Sequence, residues 1–355
     1  MADAGTGSGV DATGADARTA DGAGDARPSE AGGAGRGPGI VLVARELVPL
    51  CGESPAWPGG RATRFVAADE PLLSGLEAEA VEALVPLLSR PVGSAELDRL
   101  PSLRIVANYA VGYDNIDVDA AAERGVVVTN TPDVLTGATA DLTWALILAA
   151  ARRLREGLAL AVSGAWDGWE PDQLLGMGLE EKTLGILGAG RIGSAVARRA
   201  PGFGMRVVYW SRSRNEALEK AGARRAGALE EVLAASDVLS IHLPLTDETE
   251  GLLDAETLSR LPEGAVLVNT ARGEIVDTGA LVEALREGWL AAAGIDVYPD
   301  EPEVPEALRE LPGAFVLPHL GSATREARRA MWEVAAANVR RVLKGRPPLT
   351  PVPPA

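Results

Sequence analysis

The chain has 355 residues, enough for about two domains with a sizeable core. Its formal net charge is −16, which argues against nucleic acid or an anionic membrane as partner, although a local Arg can still hold a small anion. A single cysteine, Cys51, excludes a disulfide framework or a cysteine metal cluster, and no metal is expected.

Residues 1–38 are low complexity: twenty of the 38 are Gly or Ala, and beyond Met1 and Val10 there is no large apolar side chain to bury. Such a segment cannot offset its own ordering entropy and reads as a disordered tail. Acidic residues stand where a signal peptide needs a basic and then an apolar run. No apolar run reaches the roughly 18 residues of a membrane span, so the expectation is a cytoplasmic protein. Short apolar runs follow at Ile40–Val43, Arg64–Ala67, Ala83–Leu88, Leu103–Ala107 and Val126–Thr129, with turn or helix-like segments between them. That alternation suggests a small parallel α/β unit. From Thr139 to Leu154 the pattern is a helix apolar on most sides, which should be buried between domains or subunits. A loop carrying Trp166 and Trp169 comes next.

At Thr183–Arg199 an apolar run enters three glycines, Gly188, Gly190 and Gly193, at G-x-G-x-x-G spacing, and a helix-forming segment follows. Gly188 permits a tight turn, Gly190 lets a pyrophosphate approach the backbone, and Gly193 lets the helix lie close on its strand. Further strands are expected at Arg206–Trp210, Val238–His242, Ala265–Asn269, Ala291–Val297 and Ala314–Leu317, with helices such as Leu229–Ala235 and Thr278–Glu287 between them. The last helix, Thr324–Lys344, carries Met331, Val334, Ala335, Val339 and Val342 at three- and four-residue steps, and a Pro-rich tail, 347–355, ends the chain. The expected fold is α/β: two Rossmann-like or flavodoxin-like domains with doubly wound parallel sheets and a cleft between them. Residues 138–319 would form the dinucleotide domain. Residues 39–137 plus 320–346 would form a discontinuous substrate domain.

Only two histidines exist, which shortens the search for a proton carrier. His242 ends one strand of the dinucleotide domain and reads equally as a structural or a functional histidine; His319, between Pro318 and a Gly-Ser turn, favours function. Arg272 and Glu301 follow two other strands of the same sheet. Singly each is ordinary. Together, Arg, carboxylate and His at successive carboxyl ends suit reduction of a 2-oxo acid. Arg clamps carboxylate and carbonyl, His donates a proton to oxygen, and the carboxylate steadies the imidazolium.

With those residues in place, the chain resembles the D-isomer-specific 2-hydroxyacid dehydrogenases, and within them the glyoxylate/hydroxypyruvate reductases. The matching stretches are Asn108–Asp117, Val128–Thr136, Ala138–Asp141, Leu187–Gly193, Asn269–Gly273, Asp296–Pro302 and Pro318–Gly321. The resemblance implies Arg272 as substrate-orienting residue, His319 as acid/base, Glu301 as its partner, and Val111 and Gly112 as backbone donors to the substrate carboxylate. It also implies that Asp296 holds the nicotinamide carboxamide. Gly188, Gly190, Arg191, Ile192, Gly193, His242, Leu243, Pro244, Thr270, Ala271, Arg272, His319 and Gly321 would line the cofactor. It further implies a homodimer built by the long helix and the Trp-containing arm, with Trp169 reaching the partner's substrate pocket. The family pattern lacks the 1–38 tail and matches 45–80 loosely.

NAD enzymes place an acidic residue after the second strand to hold the ribose 2′-OH. Here that strand is followed by Ser211, Arg212, Ser213 and Arg214, and the next carboxylate is Glu216. Two hydroxyls and two guanidiniums suit a 2′-phosphate, so NADPH is expected in preference to NADH. The expected reaction is NADPH-dependent reduction of glyoxylate or hydroxypyruvate to the D-2-hydroxy acid. The alternatives left open are another 2-oxo acid such as 2-ketogluconate, or a non-catalytic NAD(P)-sensing protein on the same fold.

Overall fold

The computed structural model describes residues 39–53, 55–73 and 76–354. The expectation of a disordered tail over 1–38 lies outside these residues. The described residues form two sheets whose named strands all run parallel. The first contains β1 (Ile40–Ala44), β2 (Ala62–Val66), β3 (Val81–Val85), β4 (Ile105–Ala107) and β5 (Val127–Thr129), in the order β2-β1-β3-β4-β5. The second contains β6 (Thr183–Leu187), β7 (Arg206–Trp210), β8 (Arg224–Arg225), β9 (Val238–Ile241), β10 (Ala265–Asn269), β11 (Leu290–Ile295) and β12 (Ala314–Val316), in the order β12-β11-β10-β9-β6-β7-β8.

Parallel strands joined by crossover helices are covered on both faces, so they read as continuous apolar runs. β6, β9 and β10 are buried at every residue. One face of the second sheet is covered by helices Thr136–Ala151 and Arg191–Ala197, the other by Leu229–Ala235, Ala255–Leu258 and Thr278–Arg286. On the first sheet, helix Arg325–Leu343 packs Met331, Trp332, Ala335, Ala336 and Val339 against Val41, Val43, Ala83, Val85 and Ile105. Burial of a Val, Ile, Leu or Met side chain is worth roughly 1.5–3 kcal/mol, so this stripe is what brings the end of the chain back to the first sheet. Two polar ties reinforce it: Tyr109 Oη donates to Arg328 O at 2.6 Å, and Arg104 Nη2 to Val342 O at 2.7 Å.

Several details depart from the sequence reading. The strand expected at Ala83–Leu88 begins at Val81 and ends before Pro86, which has no N–H to give a ladder. The strand expected at Ala291–Val297 starts at Leu290 and stops at Ile295, leaving Asp296 and Val297 in the loop. β8 has two exposed arginines and therefore no apolar signature. The long helix ends at Ala151 and a separate helix, Leu154–Ser163, starts after Arg153, whose φ of +51° cannot continue an α-helix. Finally, the Pro-rich end runs antiparallel beside β5: Thr129 bridges Pro351, and Val352 N donates to Val128 O at 2.9 Å. Among the described residues no helix is long and apolar enough to cross a membrane.

Candidate active site

β6 pairs with β7 on one side and β9 on the other, so the chain reverses its direction across the second sheet there. Ligands of doubly wound sheets settle in the crevice at such a point. Gly188 turns at φ +92°, a conformation natural only to glycine, and a Cβ on it would collide with His242 O and Leu243 N of the loop after β9. A Cβ on Gly193 would strike Gly188 O, so glycine lets the helix close on its own turn. Gly190 is different: a Cβ there would meet nothing within 4 Å, so its backbone faces open space at the start of helix Arg191–Ala197. A tight turn, a close helix and an open middle glycine fit a pyrophosphate against backbone N–H groups. Asn215 Nδ2 donates to Ala189 O and Ser194 Oγ, tying the loop after β7 to this turn.

The chemistry-bearing residues lie at the neighbouring strand ends. After β10, the buried Asn269 folds the loop on itself: its Nδ2 donates to Arg272 O at 2.7 Å and its Oδ1 accepts from Ala271 N. Thr270 Oγ1 meets Thr143 Oγ1 of the long helix at 2.9 Å. After β11, Glu301 Oε1 accepts from Tyr298 N, and its Oε2 lies 2.7 Å from His319 Nδ1. Burial pushes the Glu301 carboxyl up, but the His319 hydrogen bond and charge, the Tyr298 N–H and the Arg272 charge prevail and hold it below the ordinary carboxylate range. It is therefore ionised at neutral pH. His319 follows β12 with φ +51°, a left-handed conformation uncommon for a non-glycine residue. Its N–H donates to Asp296 O, and the wholly buried Asp296 carboxylate accepts from Leu320 N and Gly321 N at 2.7 and 2.8 Å. Asp296 thus shapes the His319 turn. A contact with the nicotinamide carboxamide would have to use the lone pairs these two N–H groups leave.

The other wall is the loop after β4. Three successive peptide planes are braced from behind: Ala110 O accepts from Thr131 N, Val111 O from Asn130 Nδ2, and Gly112 O from Asn108 Nδ2, each at 2.8 Å. In a trans peptide the N–H points opposite the C=O, so the N–H groups of Val111, Gly112 and Tyr113 are aimed away from these braces. Among the described residues none of the three finds an acceptor. A Cβ on Gly112 would strike Arg272 Nη2, so the guanidinium lies directly against this loop. Asp114 forms the ion pair with Arg272 at 2.8 Å. The sequence reading gave no role to Asn108, Asn130 or Asp114; only their place inside the Asn108–Asp117 and Val128–Thr136 stretches hinted at them.

The remaining candidates are placed less simply. Arg212 and Ser213 are exposed after β7, with Ser211 half-buried. Arg225 of β8 donates to Ser211 O and Arg212 O, adding a cation that went unnoticed. Arg214, counted from sequence as a second free guanidinium, is instead paired to Glu219 at 2.6 Å, and Arg212 helps lower the carboxyl of Glu248. The loop is thus less purely cationic than its sequence suggested. Arg191 pairs with Asp133 at 2.7 Å. His242 keeps only partial surface, and burial pushes its imidazole down to about 3, so it is neutral, with Nε2 2.8 Å from Ser240 Oγ. Leu243 and Pro244 continue that loop beside the glycine turn. Trp169 is 76% exposed and belongs to an arm away from these groups in sequence and burial.

Comparison with known proteins bears on this geometry. Residues 144–321 match the model of the D-isomer specific 2-hydroxyacid dehydrogenase, NAD binding domain. The glyoxylate reductase of Thermococcus litoralis is 50% identical over 273 residues, 76% of this chain and 82% of that protein. That of Aeropyrum pernix is 51% identical over 284 residues, 79% and 84% of the two chains. The crystal structure of the NADPH-dependent glyoxylate/hydroxypyruvate reductase of Sinorhizobium meliloti, in complex with NADP and malonate, is 37% identical with a TM-score of 0.78, covering 89% of this chain and 96% of that one.

Proposed function

The chain belongs to the D-isomer-specific 2-hydroxyacid dehydrogenase family, and from that premise we propose that it reduces glyoxylate or hydroxypyruvate with NADPH to the D-2-hydroxy acid. The observation that carries the reading is the convergence of Arg272, the Glu301–His319 pair and the unengaged N–H groups of Val111 and Gly112 on one crevice. The substrate carboxylate is received by those N–H groups and by the Arg272 guanidinium, which also polarises the carbonyl. Bound NADPH supplies the hydride; Gly188, Gly190, Ile192, Gly193, Pro244, Thr270 and Gly321 would hold it. His319 delivers the proton to the substrate oxygen from Nε2, because Nδ1 is committed to Glu301. Glu301 keeps the ring oriented and stabilises its charged form.

Ser211, Arg212 and Ser213 are proposed to receive the 2′-phosphate. A charge-assisted hydrogen bond is worth roughly 1.5–3 kcal/mol, about ten- to a hundredfold in affinity. NADPH should therefore give the higher kcat/KM, and Arg212→Ala should erode that preference while leaving NADH turnover nearly unchanged. Loss of absorbance at the nicotinamide band with glyoxylate, hydroxypyruvate and 2-ketogluconate, using each cofactor, checks this. Equal or better efficiency with NADH refutes the cofactor assignment. No turnover across the panel refutes the enzyme reading in favour of a sensor.

A cytoplasmic homodimer is the proposed working form. Leu154, Leu158 and Val162 recur every four residues on one face of helix Leu154–Ser163 and are 51%, 64% and 77% exposed; Trp166, Trp169 and Leu175 extend the apolar surface. Such a stripe calls for a partner. Sedimentation equilibrium should read twice the chain mass of 36.7 kDa, and a single chain mass would contradict it.

A further inference from the structure

We propose that Asp114 is the positioning residue of the substrate clamp: it occupies one edge of the Arg272 guanidinium and so turns the free edge toward the 2-oxo acid. The inference rests on the function proposed above, in which Arg272 binds the substrate.

A guanidinium has five N–H donors in one plane. Nε of Arg272 lies 3.1 Å from both Asp114 oxygens, and Nη2 lies 2.8 Å from Oδ1, a side-on bidentate pair. Nη1 donates to Ala271 O at 2.8 Å. Three donors are therefore engaged. The two that remain, one on each terminal nitrogen, are assigned to the end-on edge, whose parallel N–H groups match two adjacent oxygens of a 2-oxo acid. Without Asp114 the side edge would compete for the same substrate and the guanidinium could rotate between poses.

Two further observations favour positioning over simple charge balance. Glu274 and Glu301 also feel the Arg272 charge, yet among the described residues only Asp114 makes an ion pair with it. The pair is also sheltered, at 18% and 29% side-chain exposure, so it is screened less than a surface pair. Moreover, Asp114 follows β4 of the first sheet and Arg272 follows β10 of the second. The ion pair thus spans the two sheets, and the clamp is aimed by a residue outside the sheet that carries Arg272.

A double-mutant cycle on the full chain tests this, with oxamate, a non-reducible 2-oxo acid analogue, as ligand of the NADPH-saturated protein. Asp114→Ala should raise the oxamate Kd and the KM for glyoxylate by about tenfold or more, with NADPH affinity and melting temperature unchanged. The isosteric Asp114→Asn, which keeps one acceptor and guards against a folding artefact, should recover part of the loss. In an Arg272→Ala background, Asp114→Ala should add less than about twofold, because its effect passes through the guanidinium. Unchanged or tighter oxamate binding in Asp114→Ala would make Asp114 a bystander or a competitor of the substrate. A full additional loss in the Arg272→Ala background would equally overturn the inference while leaving the function intact. If Arg272→Ala alone spares oxamate binding, the underlying reading fails and the inference with it.

Discussion

His319→Ala is expected to lower kcat by on the order of 10²–10⁴, with a much smaller change in KM. In the proposed mechanism the ring meets the reacting oxygen only through the proton it gives, so its removal should act on the transition state more than on binding. Glu301 sets the direction of that proton: with Nδ1 held 2.7 Å from Glu301 Oε2, Nε2 is left to face the crevice. Glu301→Gln keeps an acceptor but removes the charge that steadies the imidazolium, and should show a smaller loss than His319→Ala. The pH dependence follows in sign. A carboxyl held below its ordinary value stays ionised until the pH falls through that lowered value, so the wild-type pair survives into acid conditions below the usual carboxylate pKa of about 4.3. Glu301→Gln, having no carboxylate there, loses the dependence. Steady-state kcat across pH for the three proteins reads both effects; an unchanged kcat in His319→Ala would remove it from the mechanism.

Arg272→Ala is expected to damage KM and kcat together, with kcat/KM falling by on the order of 10²–10⁴. In the proposed mechanism the same guanidinium binds the ground-state carboxylate and stabilises the negative charge that develops on the carbonyl oxygen. Arg272→Lys should restore little, since one ammonium cannot span two oxygens and also satisfy Asp114 side-on. Full activity in Arg272→Ala would sink the clamp.

Much of the second sheet was legible because buried parallel strands announce themselves as apolar runs. β7 and β10 lie where the sequence puts them, residue for residue. The glycine spacing was equally readable, since Gly188 and Gly193 each answer a separate steric demand and Gly190 leaves its side open. What escaped has physical reasons too. β8 is two arginines at a sheet edge and carries no hydrophobic signal. The break at Arg153 is a backbone conformation that no side-chain pattern encodes. Pairing across long separations was also invisible: Asp114 lies 158 positions from Arg272, and Asn130 19 positions from Val111. Arg214 misled because Glu219, five residues on, faces it only once the helix Glu216–Lys220 forms. The candidate triad could be proposed from sequence because its members follow consecutive strands, which sequence order does preserve.

The reaction is tested most directly by following deuterium from NADPH dideuterated at the nicotinamide C4 into the product of hydroxypyruvate reduction. The proposed hydride transfer to the carbonyl carbon predicts D-glycerate carrying deuterium at C2 from the wild-type chain, with its formation suppressed in His319→Ala and Arg272→Ala. Product without deuterium at C2, L-glycerate, or undiminished formation by both variants would contradict it.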